Sequence, residues 1–216
     1  MMELLSPLLR GLAVTVELTL AAAGLAVIIA LAGGLARLSR YRLIAWPAAV
    51  YVEVFRGTSA LVQLFWFYFV LPLFGIELPA FAAGTLVLAL NTGAYGAEVV
   101  RGAVLAVPRG QLDAAAALNL SRLQTLWRVV LPQAVPVMLP PAGNLAIELM
   151  KNTALVSLIT ITELTFAAQL LRAETLRSAE IFGIVLGLYF AVALLITAFV
   201  RLLERRASRG LERGTA

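Results

Sequence analysis

Arg101-Gly-Ala-Val-Leu-Ala-Val-Pro-Arg109-Gly110-Gln111-Leu-Asp113-Ala114-Ala115-Ala-Ala117-Leu118-Asn119-Leu-Ser121-Arg122-Leu-Gln-Thr-Leu-Trp-Arg128-Val-Val130 is the stretch that decides the fold. Its charges, Arg101, Arg109, Asp113, Arg122 and Arg128, sit between two apolar runs. Gly110, Gln111, Asp113, Ala114 and Ala115 open a short Ala-rich helix, Asn119 and Ser121 stop it, and Leu131, Pro132 and Gln133 lead back into apolar sequence. A polar helix held on the face of a membrane suits docking to a partner.

The surrounding composition points the same way. The chain is 62% apolar and 13% charged, with a mean hydropathy of +0.95, against about 45 to 50% and 25% in soluble domains. A bilayer span needs about 20 apolar residues, so the 216 residues predict one transmembrane domain, 1–216, of all-α class with about five helices. The expected spans are 11–35, 58–74, 80–100, 134–161 and 181–203, with a polar loop at 101–133.

The first run is about 37 Å long at 1.5 Å per residue, longer than a signal-peptide core, and is expected to remain in the mature protein. Ala22, Ala26, Ala30 and Gly34 form a small-residue ridge on it that admits another helix closely. Pro132, Pro136, Pro140 and Pro141 predict kinks or a late start in the fourth span. Five aromatics from Phe65 to Phe69 point all around a helix, which suits lipid contact and interfacial anchoring, with Trp66 and Tyr68 the candidates for another role. Gly57 is positioned to break the helix after Glu53 and Arg56.

Basic residues set the expected orientation. Thirteen arginines (37, 40, 42, 56, 101, 109, 122, 128, 201, 205, 206, 209 and 213) fall on one side and Arg10, Arg172 and Arg177 on the other. The richer side is cytoplasmic by the positive-inside rule. The amino terminus and the Thr162 to Glu180 segment then face outward, and the 101–133 loop and carboxyl tail face the cytoplasm. The net charge of +5 has the same origin, because the arginines lie between spans rather than on one basic face, so no nucleic-acid partner is expected.

The chain has no Cys and no His, which removes disulfides, thiolate and imidazole metal ligands, Cys nucleophiles and His bases. Its one Lys, Lys151, follows Leu149 and Met150 rather than a Gly-rich phosphate loop. The chain is therefore expected not to be an enzyme and to hold no cofactor or metal. Any ATP-driven transport must draw its hydrolysis from a partner polypeptide.

Two polar stripes run along expected spans. Asn91, Tyr95 and Glu98, and Asn144, Glu148 and Lys151, are each spaced by four and three residues, which stacks them on one helix face. Charges at membrane depth cost at least about 2.5 kcal/mol on insertion scales, so they turn inward, pair, or line a solute path. The stripes are candidates to face one cavity suited to a zwitterion. The competing reading pairs Glu148 with Lys151 and Glu98 with Arg101.

At this point a resemblance covers nearly the whole chain. Gly110-Gln111-Leu-Asp113-Ala114-Ala115-Ala-Ala117-Leu118-Asn119, followed by Val130-Leu131-Pro132-Gln133-Ala134, resembles the coupling loop of ABC-importer permeases of the polar amino-acid uptake branch. Similar matches are Glu53-Val-Phe55-Arg56-Gly57-Thr58 with Leu61-Val62-Gln63-Leu64-Phe65, Tyr95-Gly-Ala97-Glu98-Val-Val-Arg101-Gly102, and Lys151-Asn152-Thr153-Ala154-Leu155-Val156-Ser157. Ser59 and Ala60, Asn119, and Thr165-Phe166-Ala-Ala-Gln169-Leu170-Leu171-Arg172-Ala173 look most like the ectoine and hydroxyectoine permeases.

The resemblance implies a type I permease in the bacterial cytoplasmic membrane. It implies two cytoplasmic ATPase subunits, a second permease subunit and an extracytoplasmic solute-binding protein as partners, with lipid around them. Gly110, Gln111, Asp113, Ala114, Ala115, Leu118 and Asn119 would enter a groove on the ATPase. Asn152 and Thr153 join the candidate path or gate through the family's Lys-Asn-Thr motif. The small-residue ridge and the Thr162 to Arg177 segment would meet the partner permease and the binding protein respectively.

Asp113 stands where Glu is usual, and its acid is expected in the first turn, favoured by the helix dipole. Asn119 stands where Gly is usual, and after Gly it best tolerates a left-handed helix end. A secondary transporter driven by an ion gradient is the alternative, and would be expected to show duplicated halves; no internal repeat is visible.

Overall fold

The computed structural model describes residues 2–208, with side chains from Leu4; Arg209 and Arg213 lie outside the described residues. The described residues are helical with no strand. They form α1 (Met2–Arg37), α2 (Arg42–Gly57), α3 (Ala60–Phe65), α4 (Ala80–Leu105), α5 (Arg109–Ala117), α6 (Arg122–Thr125), α7 (Leu131–Asn152), α8 (Leu164–Thr175) and α9 (Ser178–Ser208). Among them α1, α4, the continuous run Arg122–Ile159 and α9 are each long and apolar enough to cross a membrane, and α2 with Ala60–Phe74 makes a fifth if that bent pair is one span. The all-α, about-five-span architecture is the one expected.

The second span differs from the expectation. The segment placed at 58–74 is α3, a π turn at Trp66–Val70 and a 3-10 turn at Leu71–Phe74, and it meets α2 at 106° across Thr58 and Ser59. The fourth helical run also starts earlier than 134, because α6 opens on a capping box in which Ser121 and Gln124 bond each other's backbone N–H. Ser121 therefore begins a helix rather than stopping one. The prolines bring no late start: Pro132 sits in the first turn of α7, just past a π turn at Leu126–Val130, and Pro136, Pro140 and Pro141 lie inside the helix.

Both π turns precede a proline, Pro72 and Pro132. Proline has no N–H to give the carbonyl four residues back. The preceding Leu71 and Leu131 instead bond Trp66 and Leu126 five residues back, widening the turn without ending the helix.

The core sits between α1 and α4. Ala22, Ala26 and Ala30 are buried, and a Cβ on Gly34 would lie 2.6 Å from Val100 Cβ, one on Gly96 2.7 Å from Ala30 Cβ. The small-residue ridge is thus used inside the chain, against α4, which corrects its assignment to the partner permease. A second cluster joins α1, α8 and α9 through Leu8, Leu164, Ala168 and Ile181. A third ties Val100, Ala103 and Val107 at the end of α4 to Val130, Ala134 and Met138. Leu186, Phe190, Leu194 and Phe199 on α9 are exposed, as a lipid-facing helix requires. In the aromatic run Phe67 and Tyr68 pack on the core while Trp66, with Phe65 and Phe69, is exposed.

Candidate functional site

The α5 hairpin projects from the helical body between α4 and the Arg122–Ile159 run. Of its nine residues only Ala115 is buried. Gly110, Gln111, Asp113, Ala114, Leu118 and Asn119 are exposed, with Leu118 at 74%. The helix ends in a Schellman arrangement: Asn119 N–H donates to Ala116 O at 2.9 Å, Leu120 N–H to Ala115 O at 3.1 Å, and Asn119 adopts φ 53°. The helix starts at Arg109, however, so Asp113 is in its second turn and no acid occupies the first. The dipole argument for Asp113 does not apply.

The α4 stripe is turned against the bend between α2 and α3. Ending α2 at Gly57 strands the carbonyls of its last turn. Thr58 Oγ1 donates to Val54 O at 2.7 Å; Gln63 Nε2 and Asn91 Nδ2 donate to Phe55 O at 2.9 and 3.0 Å; Tyr95 OH reaches Arg56 O at 3.4 Å. Gln63 Nε2 also meets Thr58 Oγ1 at 2.7 Å, and Asn91 Nδ2 donates to Gln63 Oε1 at 3.2 Å. Tyr51 OH closes the contact from the other side, donating to Leu90 O at 2.7 Å.

Glu98 ends the stripe as an ionic hub. It accepts from Arg37 of α1, and from Arg101 Nη2 at 2.9 Å. Arg37 Nη2 lies 3.7 Å from Glu53 Oε1 on α2. Arg56 does not pair with Glu53; its guanidinium lies 5.3 Å from the Tyr95 ring centroid.

The α7 stripe has the opposite surroundings. Asn144, Glu148 and Lys151 are exposed, and among the described residues Glu148 and Lys151 make no ion pair, with each other or with anything else. Asn152 is half-buried at the end of α7, and Thr153 is fully buried with its hydroxyl on Met150 O at 2.7 Å. The two stripes therefore do not meet across one cavity. One holds a bend, and the other is open.

Several polar residues had not been singled out. Thr58, Gln63 and Tyr51 belong with the α4 stripe, and a Thr and a Gln just after a helix-ending Gly were the signal available. Glu163 is fully buried and caps α8, accepting from Thr165 and Phe166 N–H, both at 2.8 Å, and from Tyr189 OH at 3.2 Å. Leu164 N–H donates to Thr15 Oγ1 at 3.2 Å, so α1, α8 and α9 meet at one polar node. Glu is not a preferred cap residue, and nothing in its spacing marked it.

Residues 11–209 match the family described as binding-protein-dependent transport system inner membrane component. The chain is 46% identical over 213 residues to a probable amino-acid ABC transporter permease, y4tF, of Sinorhizobium fredii, covering 96% of this chain and 90% of that one. It is 37% identical over 200 residues to the L-cystine transport system permease TcyB of Bacillus subtilis, covering 92% and 86%. A crystal structure described as an amino acid ABC transporter with histidines contains a chain that superposes at a TM-score of 0.87, with 36% identity and coverage of 95% and 96%.

Proposed function

From the premise that this chain belongs to the binding-protein-dependent transport system inner membrane component family, we propose that it is the permease subunit of an ABC importer for polar amino acids or related compatible solutes. The observation that carries the reading is α5: a short, nearly bare helix closed by a Schellman end, with Leu112 and Leu118 exposed, set between two membrane-crossing runs. A nearly bare helix that presents leucines to solvent between membrane-crossing runs suits docking to a partner. ATPase subunits, a second permease subunit and a solute-binding protein are the partners that membership implies.

The α5 end faces the cytoplasm in this proposal, supported by the arginine count, and closure of the ATPase pair drives the membrane helices by pushing on Gly110 to Asn119. The exposed stretch from Arg172 to Glu180, which leads from the end of α8 into α9, receives the binding protein. Asn144, Glu148 and Lys151 line the path: exposed, unpaired charges on a membrane-crossing helix are tolerated where they meet water, solute or a partner. Lys151 would face a solute carboxylate and Glu148 an ammonium. Ectoine is the narrower solute proposal, resting on Ser59, Ala60, Asn119 and the Thr165 to Ala173 segment; the y4tF and TcyB likenesses support amino acids more broadly.

The test is Ala114→Arg. Because Ala114 is exposed, the variant is expected to insert and assemble normally yet lose solute-stimulated uptake. Asn119→Pro, which cannot adopt φ 53°, should do the same. Wild-type uptake in a well-expressed double variant would reject α5 as the coupling element.

A further inference from the structure

Where α7 and α9 cross, a crevice of about 220 Å³ opens between Pro140, Asn144, Thr197, Arg201 and Glu204. Its floor is tight: a Cβ on Gly143 would sit 2.9 Å from Val200 Cγ1. Its rim is polar and unspent. Among the described residues Arg201 and Glu204 make no ion pair, although Arg177 and Glu180, with the same order and spacing, close to 3.8 Å. Thr197 donates its hydroxyl to Ala193 O and keeps its lone pairs. Pro140 and Pro141 also deny the carbonyls of Pro136 and Val137 their helix donors, leaving acceptors on α7 one turn before Pro140.

The crevice therefore offers one cation, Arg201, one anion, Glu204, and several neutral acceptors, between two helices that cross the bilayer. We propose that it binds the headgroup of an aminophospholipid, phosphatidylethanolamine, with the phosphate on Arg201 and the primary ammonium on Glu204, the Thr197 hydroxyl and the proline-freed carbonyls. A lipid is the occupant because both walls are membrane-crossing helices and Arg201 and Glu204 lie in the last turns of α9, where headgroups gather. A primary ammonium carries three donors for these acceptors, whereas the trimethylated group of phosphatidylcholine carries none. The proposal rests on α7 and α9 crossing the membrane, and on neither the coupling role of α5 nor the solute.

The test is native mass spectrometry of the whole detergent-purified transporter, permeases with ATPases, titrated with phosphatidylethanolamine, its mono- and dimethylated forms, and phosphatidylcholine. The wild type is expected to prefer phosphatidylethanolamine over phosphatidylcholine by about tenfold, the worth of one charge-assisted hydrogen bond, with the preference fading at each methyl. Glu204→Gln should abolish the preference while leaving both phosphatidylethanolamine and phosphatidylcholine bound, and Arg201→Gln should weaken every lipid in the series. Equal binding of the two zwitterionic lipids by the wild type, or a preference unchanged in Glu204→Gln, overturns the assignment. Displacement of phosphatidylethanolamine by millimolar free glycine also overturns it, in favour of a soluble zwitterion. The wild-type series needs no variant to fold, and its outcome is independent of uptake in Ala114→Arg.

Discussion

The stripes of α4 and α7 share a spacing and differ in fate. Asn91, Tyr95 and Glu98 are consumed within the chain, on Phe55 O, Arg56 and the arginines 37 and 101. Asn144, Glu148 and Lys151 project from α7, and among the described residues the charged two form no ion pair. The difference lies in what is packed opposite. A broken helix lies beside α4 and presents bare carbonyls that need donors, so polarity there is structural. Among the described residues nothing pairs with Glu148 or Lys151, so their polarity is available to whatever completes the transporter.

Removing members of each stripe should separate structural from functional polarity. The largest effect belongs to Glu98→Gln, which leaves Arg37 and Arg101 without their shared carboxylate at a site where the Glu98 and Arg37 side chains are 21% and 18% exposed. Losing the carboxylate that both arginines share in this half-buried cluster removes two charge-assisted hydrogen bonds and costs about 3 kcal/mol, read as a lower midpoint of SDS-induced unfolding. An unchanged midpoint would break the contrast. Asn91→Leu comes next: it strips a donor from Phe55 O and from Gln63, a loss of about 2 kcal/mol, and Gln63→Leu in the same background should add less than it does alone. Full additivity would separate the two residues.

Lys151→Met should be the mildest for stability, within about 0.5 kcal/mol as for exposed sites without partners, while uptake and solute-stimulated ATP hydrolysis fall. Wild-type behaviour in both assays would remove Lys151 from the path. A large stability loss would place it in the structural class with Glu98.

These contrasts mark what the sequence made legible. Helix termination at Gly57 and the left-handed end at Asn119 could be read because they depend on one residue's own backbone preferences. The spans and the small-residue ridge could be read because helical period and side-chain volume are local. The partner of that ridge could not: Ala22 to Gly34 fits any close helix, and only the fold reveals that the helix is α4. Periodicity likewise groups Asn91 with Glu98 and Asn144 with Lys151 without saying which faces a neighbour. Glu163 escaped because its meaning comes from Tyr189 and Thr15, far away in sequence. Asp113 was misread because α5 opens at Arg109, one residue before Gly110, which moves Asp113 out of the first turn.

The central claim is that α5 is a cytoplasmic docking helix, and the absence of native Cys makes it directly measurable. Ala114→Cys in the assembled transporter should react with a membrane-impermeant maleimide in inside-out vesicles stripped of ATPase, should be protected when the ATPase is restored, and should be silent in right-side-out vesicles. Labelling from the outer face, or reactivity in inside-out vesicles indifferent to the ATPase, would contradict the account.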